Sequence, residues 1–359
     1  MNFSREIFIK RKIGSRKTGE CDKRNALGGG SSSPPSNRAG IPISNPVPHT
    51  TLQFPLTENI FPYPFAPPMK KISRILTFTF LCLVGILVVL VTTIYTLSSA
   101  RMNKTYEVKS VPIPKFSKSI DIAEGKRLYQ SRGCGDCHDV DGSGRTFIED
   151  PALGTLSGVN LTSGKGGILS DRTDEELAIA IRHGVGKEGR ALLFMPSTDF
   201  QGMTNEDVGK LIAFLRSSPA VDKPQGELKA GPLGRFLFLI GEIPVFVSAE
   251  KINHEANHLT NITPSVSLEY GKYVASTCTG CHGFSLKGGP IQGAPPEWPP
   301  AQDISKSGLT NYTESTFIQT IRTGKRPDGS EMKFPMPWQS LGQLTDTELK
   351  ALWIYLQTI

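Results

Sequence analysis

Disulfide chemistry has little to draw on in this chain. Its 359 residues hold six cysteines, and four of them form two Cys-x-x-Cys pairs. The remaining two, Cys21 and Cys82, stand apart in a polar leader and in an apolar run. Nothing suggests a disulfide framework, and the spacing points to metal or cofactor chemistry. Alternating apolar and polar residues, the mark of a half-buried strand, are also missing from the two regions that look folded, so the expected class is all-α. Excess basic charge is absent beyond the first hundred residues. Residues 1–101 carry thirteen Lys/Arg against four Asp/Glu, or +9, and the remainder carries 27 against 29, or −2. A nucleic-acid role for that remainder has little support, and none is expected as a partner.

One stretch lacks charge altogether. The 23 residues from Ile75 to Leu97 contain no ionisable acid or base. As a helix they would extend about 34 Å at about 1.5 Å per residue, enough to cross a bilayer core. Lys70, Lys71 and Arg74 precede them, which predicts a cytoplasmic N-terminus and export of everything after residue 101. A cleaved signal ending near Ser98-Ser99-Ala100 is the competing reading. The length of the apolar run favours an uncleaved anchor.

The expected organisation is a disordered basic leader (1–68), a transmembrane anchor (69–101), a tether (102–118), a first domain (119–219), a linker (220–264) and a second domain (265–359). The leader includes the low-complexity run Gly28 to Pro35. A second reading starts translation at Met69, where Met69-Lys70-Lys71 looks like the beginning of an export signal. Within the linker, Phe236 to Val247 is apolar but too short to span, with Glu242 and Pro244 interrupting it. It reads as a segment packed on the two domains, with a membrane-surface or partner-docking segment as the alternative.

The two domains repeat one order of parts: a short helix, a CxxCH, a Gly/Pro-rich loop, an Ile-Arg-x-Gly element, a Met-Pro and a final helix. The final helices are readable from their caps and spacing. Thr204 precedes Val208, Leu211, Ile212 and Leu215, and Thr345-Asp346-Thr347-Glu348 forms a capping box before Leu349, Leu352, Trp353 and Leu356.

The chemistry sits in Cys134-Gly135-Asp136-Cys137-His138 and Cys278-Thr279-Gly280-Cys281-His282. Two thiols three residues apart share one face of a helical turn and can each add to a vinyl group on one edge of a haem. The following His then reaches the iron. Zinc would want a second Cys pair in the same domain, and a redox dithiol would want a βαβ setting; neither is present. Two covalent haems c are therefore expected. For the sixth ligands, Met195 lies 57 residues after His138 and Met336 lies 54 after His282. Each is followed by Pro and preceded by Ile-Arg-x-Gly (Ile181 to Gly184, Ile321 to Gly324). A thioether is a neutral, soft ligand suited to reduced iron. Met203 and Met332 are spare candidates that do not match across the repeats. His183 reads as a haem-edge or surface residue. His254 and His258 resemble a metal pair but lack a surrounding cluster, so a solvated or interdomain role is expected. His49 lies in the leader.

At these residues the chain resembles the class I cytochrome c fold, duplicated, and more closely the bacterial membrane-anchored dihaem cytochromes c. The resemblance covers roughly residues 69–359. It is carried by Met69-Lys70-Lys71, both CxxCH motifs, Asn160-Leu161-Thr162, Ile181 to Gly184, Leu193 to Ser197, Tyr270-Gly271 and Met336-Pro337-Trp338. It implies three helices around each haem, with Gly125 and Gly271 where the N-terminal helix crosses the C-terminal one. It also implies low-spin His–Met iron, with Cys134, Cys137, His138, Met195, Cys278, Cys281, His282 and Met336 as the haem residues. Two departures stand out: Asp303-Ile304-Ser305 replaces Asn-Leu-Thr in the second domain, and Asp139 follows the first motif where Gly is common.

The expected function is electron transfer without catalysis. Electrons would pass between a donor dehydrogenase or respiratory complex and an acceptor cytochrome or oxidase, on the periplasmic side of the inner membrane. A dihaem peroxidase-like enzyme is the alternative, and would need one open or displaceable ligand and a distal acid–base group. A sensor or assembly subunit is a third reading.

Overall fold

Thr77, Thr93 and Thr96 show how an apolar helix disposes of its few polar side chains. Each hydroxyl donates to the carbonyl four residues back, on Ser73, Val89 and Thr92, so none needs an outside partner. These residues belong to helix α1, Met69–Met102, in a computed structural model that describes residues 69–294 and 297–359. The expectations for residues 1–68, including the disordered leader, the alternative start, Cys21 and His49, lie outside the described residues. Helix α1 is the one described helix long and apolar enough to cross a membrane. Residues Cys82–Ile359 form one compact unit.

In that unit the all-α expectation holds. The first helical module contains α2 (Ser119–Ser131), α3 (Cys134–His138), α4 (Asp174–His183), α5 (Ser197–Phe200) and α6 (Asn205–Ser217). The second contains α8 (Leu268–Ala275), α9 (Thr279–His282), α10 (Glu314–Thr323), α11 (Trp338–Leu341) and α12 (Asp346–Leu356). Between them the linker holds α7 (Pro232–Leu239) and a 3-10 stretch, Pro244–Lys251. The caps form as the residue types require. Thr204 accepts from the Asp207 amide, and Thr345 with Glu348 closes a full capping box.

Each module is built on a helix crossing. A methyl group at Gly125 would strike the Lys210 carbonyl on α6, and one at Gly271 would strike the Ala351 carbonyl on α12. Only a hydrogen at these positions lets α2 approach α6, and α8 approach α12, backbone to backbone. The core of the first module gathers Tyr129, Leu177, Phe200, Val208, Leu211 and Ile212. The second gathers Tyr270, Val274, Phe317, Ile321, Leu349 and Leu352.

The intervening segments are more ordered than their composition suggests. A small antiparallel sheet pairs β1 (Thr146–Asp150) with β2 (Gly154–Ser157), and β2 with β3 (Lys229–Ala230). Strands of two to five residues are too short for alternation to register. The stretch expected as a tether is strapped down instead: Ile113 is buried in the first core, and the Tyr106 amide donates to the Gly189 carbonyl at 2.8 Å. The linker forms a third apolar core, in which Phe238, Phe246 and Val247 pack with Met102, Leu156 and Val185.

The two modules are tied by a pseudo-twofold pair of contacts. Two residues after Gly125, Arg127 donates to Glu348, the third residue of α12, at 2.7 Å. Two residues after Gly271, the Tyr273 hydroxyl donates to Asp207, the third residue of α6. Each N-terminal helix thus holds the start of the other module's C-terminal helix. Glu348 is only 2% exposed, so its charge depends on Arg127 and on the capping bonds. Replacing Arg127 by Met should cost about 3 kcal/mol, because it leaves a buried carboxylate without its cation. Adding Glu348→Gln should recover part of that loss. A double-mutant cycle from denaturant unfolding checks both.

Candidate haem-attachment sites

Both CxxCH segments are helical and end on the histidine: α3 holds the whole of the first, and in the second Cys278 closes a 3-10 turn, Ser276–Cys278, that runs straight into α9. The turns need a residue with positive φ directly after them. In the second module Gly283 supplies it (φ 72°, ψ 167°), and in the first Asp139 adopts nearly the same conformation (φ 64°, ψ 165°). That region is almost restricted to glycine. The carbonyl of Asp139 accepts the Tyr129 hydroxyl at 2.6 Å, and its own carboxylate accepts the Val140 amide at 2.8 Å. The departure at Asp139 is therefore strain held by local bonds, and the turn itself is unchanged.

The histidines are oriented alike. Nδ1 of His138 lies 2.9 Å from the Val159 carbonyl, and Nδ1 of His282 lies 2.7 Å from the Gln302 carbonyl. A carbonyl can only accept, so Nδ1 carries the proton and Nε2 keeps its lone pair for a metal. Burial lowers the pKa of both rings, which favours the neutral, ligating form. Burial also pushes the Cys134 thiol up to about 12 and Cys278 up to about 11, so both sit as neutral sulfur in apolar surroundings. A thioether, which carries no charge, suits such a place.

Met195 and Met336 share a second local geometry. The carbonyl of Met195 accepts the Ser197 amide at 2.8 Å across Pro196, and that of Met336 accepts the Trp338 amide at 3.0 Å across Pro337. With Pro196 at φ −78°, ψ 55° and Pro337 at φ −86°, ψ 56°, both are inverse γ-turns. Proline pre-sets the φ angle this turn needs. Cys134 and Met195 border the first core, and Cys278 and Met336 border the second. The spare methionines divide differently: Met203 is buried within the first core and Met332 borders the second.

The Ile-Arg-x-Gly elements explain themselves at the same point. Gly184 and Gly324 end α4 and α10 in the left-handed conformation (φ 63° and 71°). Arg182 donates to Asn205 and Arg322 to Asp346, the first residues of α6 and α12. The elements themselves are visible in the sequence, but the partners of these arginines, like those of Arg127 and Tyr273, lie in other elements. Spacing alone does not reveal them.

At the other departure, Asn160 and Asp303 perform the same turn, each accepting the amide two residues on (Thr162 and Ser305). Asn160 also donates its amide to the Val221 and Lys223 carbonyls of the linker. Asp303 has no such donor and accepts the Ser307 hydroxyl within its own loop.

The segments leading into the two attachment turns meet. Arg132, two residues before Cys134, donates to Thr277, the residue before Cys278, and stacks over the Tyr273 ring. Asp199 of α5 packs against Gly280, inside the second motif. Two pairs of thiols raised by burial, two imidazoles whose Nε2 keeps its lone pair, and two methionines on the same apolar cores fit a pair of covalently held haems.

Over residues 122–219 and 268–359 the chain matches the family model described as Cytochrome c. The chain belongs to the cytochrome c family. It is an electron-transfer cytochrome with two covalently bound haems c. A curated relative, the fructose dehydrogenase cytochrome subunit of Gluconobacter japonicus, is 32% identical over 103 residues. That match covers 26% of this chain and 21% of the relative, so the chain spans about a fifth of the length of this relative.

Among the described residues the other three histidines of this cytochrome form a chain. His254 Nε2 lies 3.1 Å from the Ala249 carbonyl, its Nδ1 3.1 Å from His183 Nδ1, and His183 Nε2 3.1 Å from His258 Nε2. Carbonyls stand at both ends, Ala249 beside His254 and Gln201 beside His258, so three neutral rings supply one N–H fewer than the four links could use. His183 is thus buried at the linker contact. Its two partners lie on opposite ring nitrogens, and no group of three among the described residues could hold a metal ion.

Two outcomes are expected. Asp139→Gly should stabilise the folded chain by about 1 kcal/mol, measured by denaturant unfolding, because glycine adopts this conformation without strain. Burial, with His258 and His254 beside it, holds His183 down to about 4. An unfolded histidine takes up its proton near 6.5, so folding stability should fall as pH drops from about 6.5 toward 4. His183→Gln should flatten that slope, as urea midpoints at pH 7.5 and 5.0 will reveal.

Proposed function

We propose that this cytochrome carries electrons from a dehydrogenase to a downstream acceptor through two six-coordinate haems held outside the cytoplasm. Cys134, Cys137 and His138 would hold the first haem, with Met195 opposite, and Cys278, Cys281 and His282 the second, with Met336 opposite. Each haem supplies a one-electron couple at its iron. The protein supplies orientation, through the Val159 and Gln302 carbonyls on the imidazoles and the proline γ-turns that present the methionines.

The observation that carries this reading is the contact between the segments that lead into the attachment turns. Arg132 bridges the segment before Cys134 to Thr277 beside Cys278, which supports two cofactors held within one compact unit. The printed name of the relative, a dehydrogenase cytochrome subunit, supports a dehydrogenase as donor. Helix α1 would anchor the chain in the inner membrane, with Lys70, Lys71 and Arg74 on the cytoplasmic flank and the haem modules in the periplasm.

Separate substitution of Met195 and Met336 by Ala tests the ligand assignment. Each variant should lose half of the absorption band that arises from sulfur–iron(III) bonding, and the double variant should lose all of it. A single variant with an unchanged spectrum would show that its methionine is not a ligand. Fewer than two haems per chain in the purified protein would overturn the reading.

A further inference from the structure

Helix α7 leaves an apolar face uncovered. Leu233, Phe236 and Ile240, at i, i+3 and i+7, are 43%, 42% and 54% exposed, while Gly234 and Phe238 on the other side are buried. Three large apolar side chains on one edge of a short helix form a patch that a soluble surface has no reason to keep. What covers them is indicated by what α7 is fastened to.

Two arginines bolt α7 to the end of α1. From α7, Arg235 donates to both the Ser98 and Ser99 hydroxyls at 2.9 Å, and its guanidinium lies 4.7 Å from the Tyr95 ring centroid. From α1, Arg101 donates to the Phe238 and Leu239 carbonyls, pairs with Glu250 at 2.6 Å and stacks over the Phe238 ring at 4.2 Å. These contacts involve residues 95–101, where the uncharged run of α1 gives way to polar chain. Phe236 reaches further back: it lines an apolar recess with Val89, Leu90, Thr93 and Ile94, which belong to the run itself.

The geometry points to α7 lying in the headgroup layer of the membrane face where α1 ends, with Leu233, Phe236 and Ile240 set into lipid. This inference rests on the reading of α1 as a membrane anchor. The arrangement is that of an interfacial helix: apolar residues toward the acyl chains, and an arginine and a tyrosine at the level of the headgroups. The docked helix adds a second point of membrane contact beside α1. Two contacts restrict tilting of the haem modules toward or away from the membrane, because rocking them would lift Leu233, Phe236 and Ile240 out of lipid.

The test is made on the full chain carrying both haems, inserted one copy per lipid nanodisc, with Cys21 and Cys82 replaced by Ser. Single cysteines are placed at Leu233, Phe236 and Ile240, at Val88 within the run, and at the exposed Lys350 on α12. Each is treated with a charged maleimide that cannot enter lipid. Labelling at 233, 236 and 240 should be several-fold slower than at Lys350→Cys and close to that at Val88→Cys. If Val88→Cys is protected while the three α7 positions label as fast as Lys350→Cys, the interfacial placement is wrong and the anchor stands. If Val88→Cys also labels fast, the anchor reading itself falls. One copy per disc removes a second chain as the source of protection.

Discussion

Backbone-to-backbone contact at two glycines is the constraint on which the rest of the molecule depends. Where α2 meets α6 at Gly125, and α8 meets α12 at Gly271, the helices approach more closely than any side chain permits. That crossing sets the direction of the chain into each CxxCH turn, because α3 follows α2 after two residues and α9 follows the same helix-to-turn path after α8. The methionine turns are placed from the other side. Arg182 and Arg322 tie the ends of α4 and α10 to the starts of α6 and α12, and the Met-Pro segments run between those fixed points. Each crossing therefore locates a cysteine-bearing turn and a methionine-bearing turn around one apolar core.

Much of this was legible in the residue order because the informative signals are local. A Thr before a run spaced at three and four residues, a Gly after Ile-Arg-x, and a Pro after Met each act through the conformation of one or two residues, and each recurs in both modules. The CxxCH motif is legible for the same reason, since its chemistry needs two sulfurs and an imidazole on one turn. Composition misled where packing decides. Residues 102–118 look polar and proline-interrupted, yet Ile113 is buried and Pro114 lies against Gly209. Its apolar side chains, Met102, Tyr106, Val108, Val111, Ile113 and Phe116, follow neither a helical nor a strand period, so nothing in the pattern distinguishes a strap from a tether. His183, His254 and His258 were hidden similarly, because their association spans more than seventy residues of chain.

The departures from the family pattern show how much a fold tolerates when a backbone position is held from several sides. Asp139 takes a conformation that favours glycine, and the Tyr129 hydroxyl and the aspartate's own carboxylate hold it there. Asp303 keeps the turn that Asn160 makes and loses only the donor half of the side chain. In the first module that donor half fastens the linker. The exchange of Asn for Asp therefore removes a tie to a neighbouring segment without altering the loop itself.

The tie between modules carries the argument one step further. Its two halves occupy equivalent positions, two residues beyond the crossing glycine on one side and the third residue of the final helix on the other. Their chemistry differs: an arginine–glutamate ion pair in one half, a tyrosine–aspartate hydrogen bond in the other. Unlike groups thus occupy equivalent positions in two modules that match one family model. A charged pair buried to this degree adds little net stability over apolar packing, but losing one partner costs much more. Its effect is therefore on specificity of pairing: alternative arrangements of two such similar modules would strand Glu348. Within the same compact unit Arg132 donates to Thr277 and lies over the Tyr273 ring, so the segments leading into the two attachment turns are joined beside the tie between the modules.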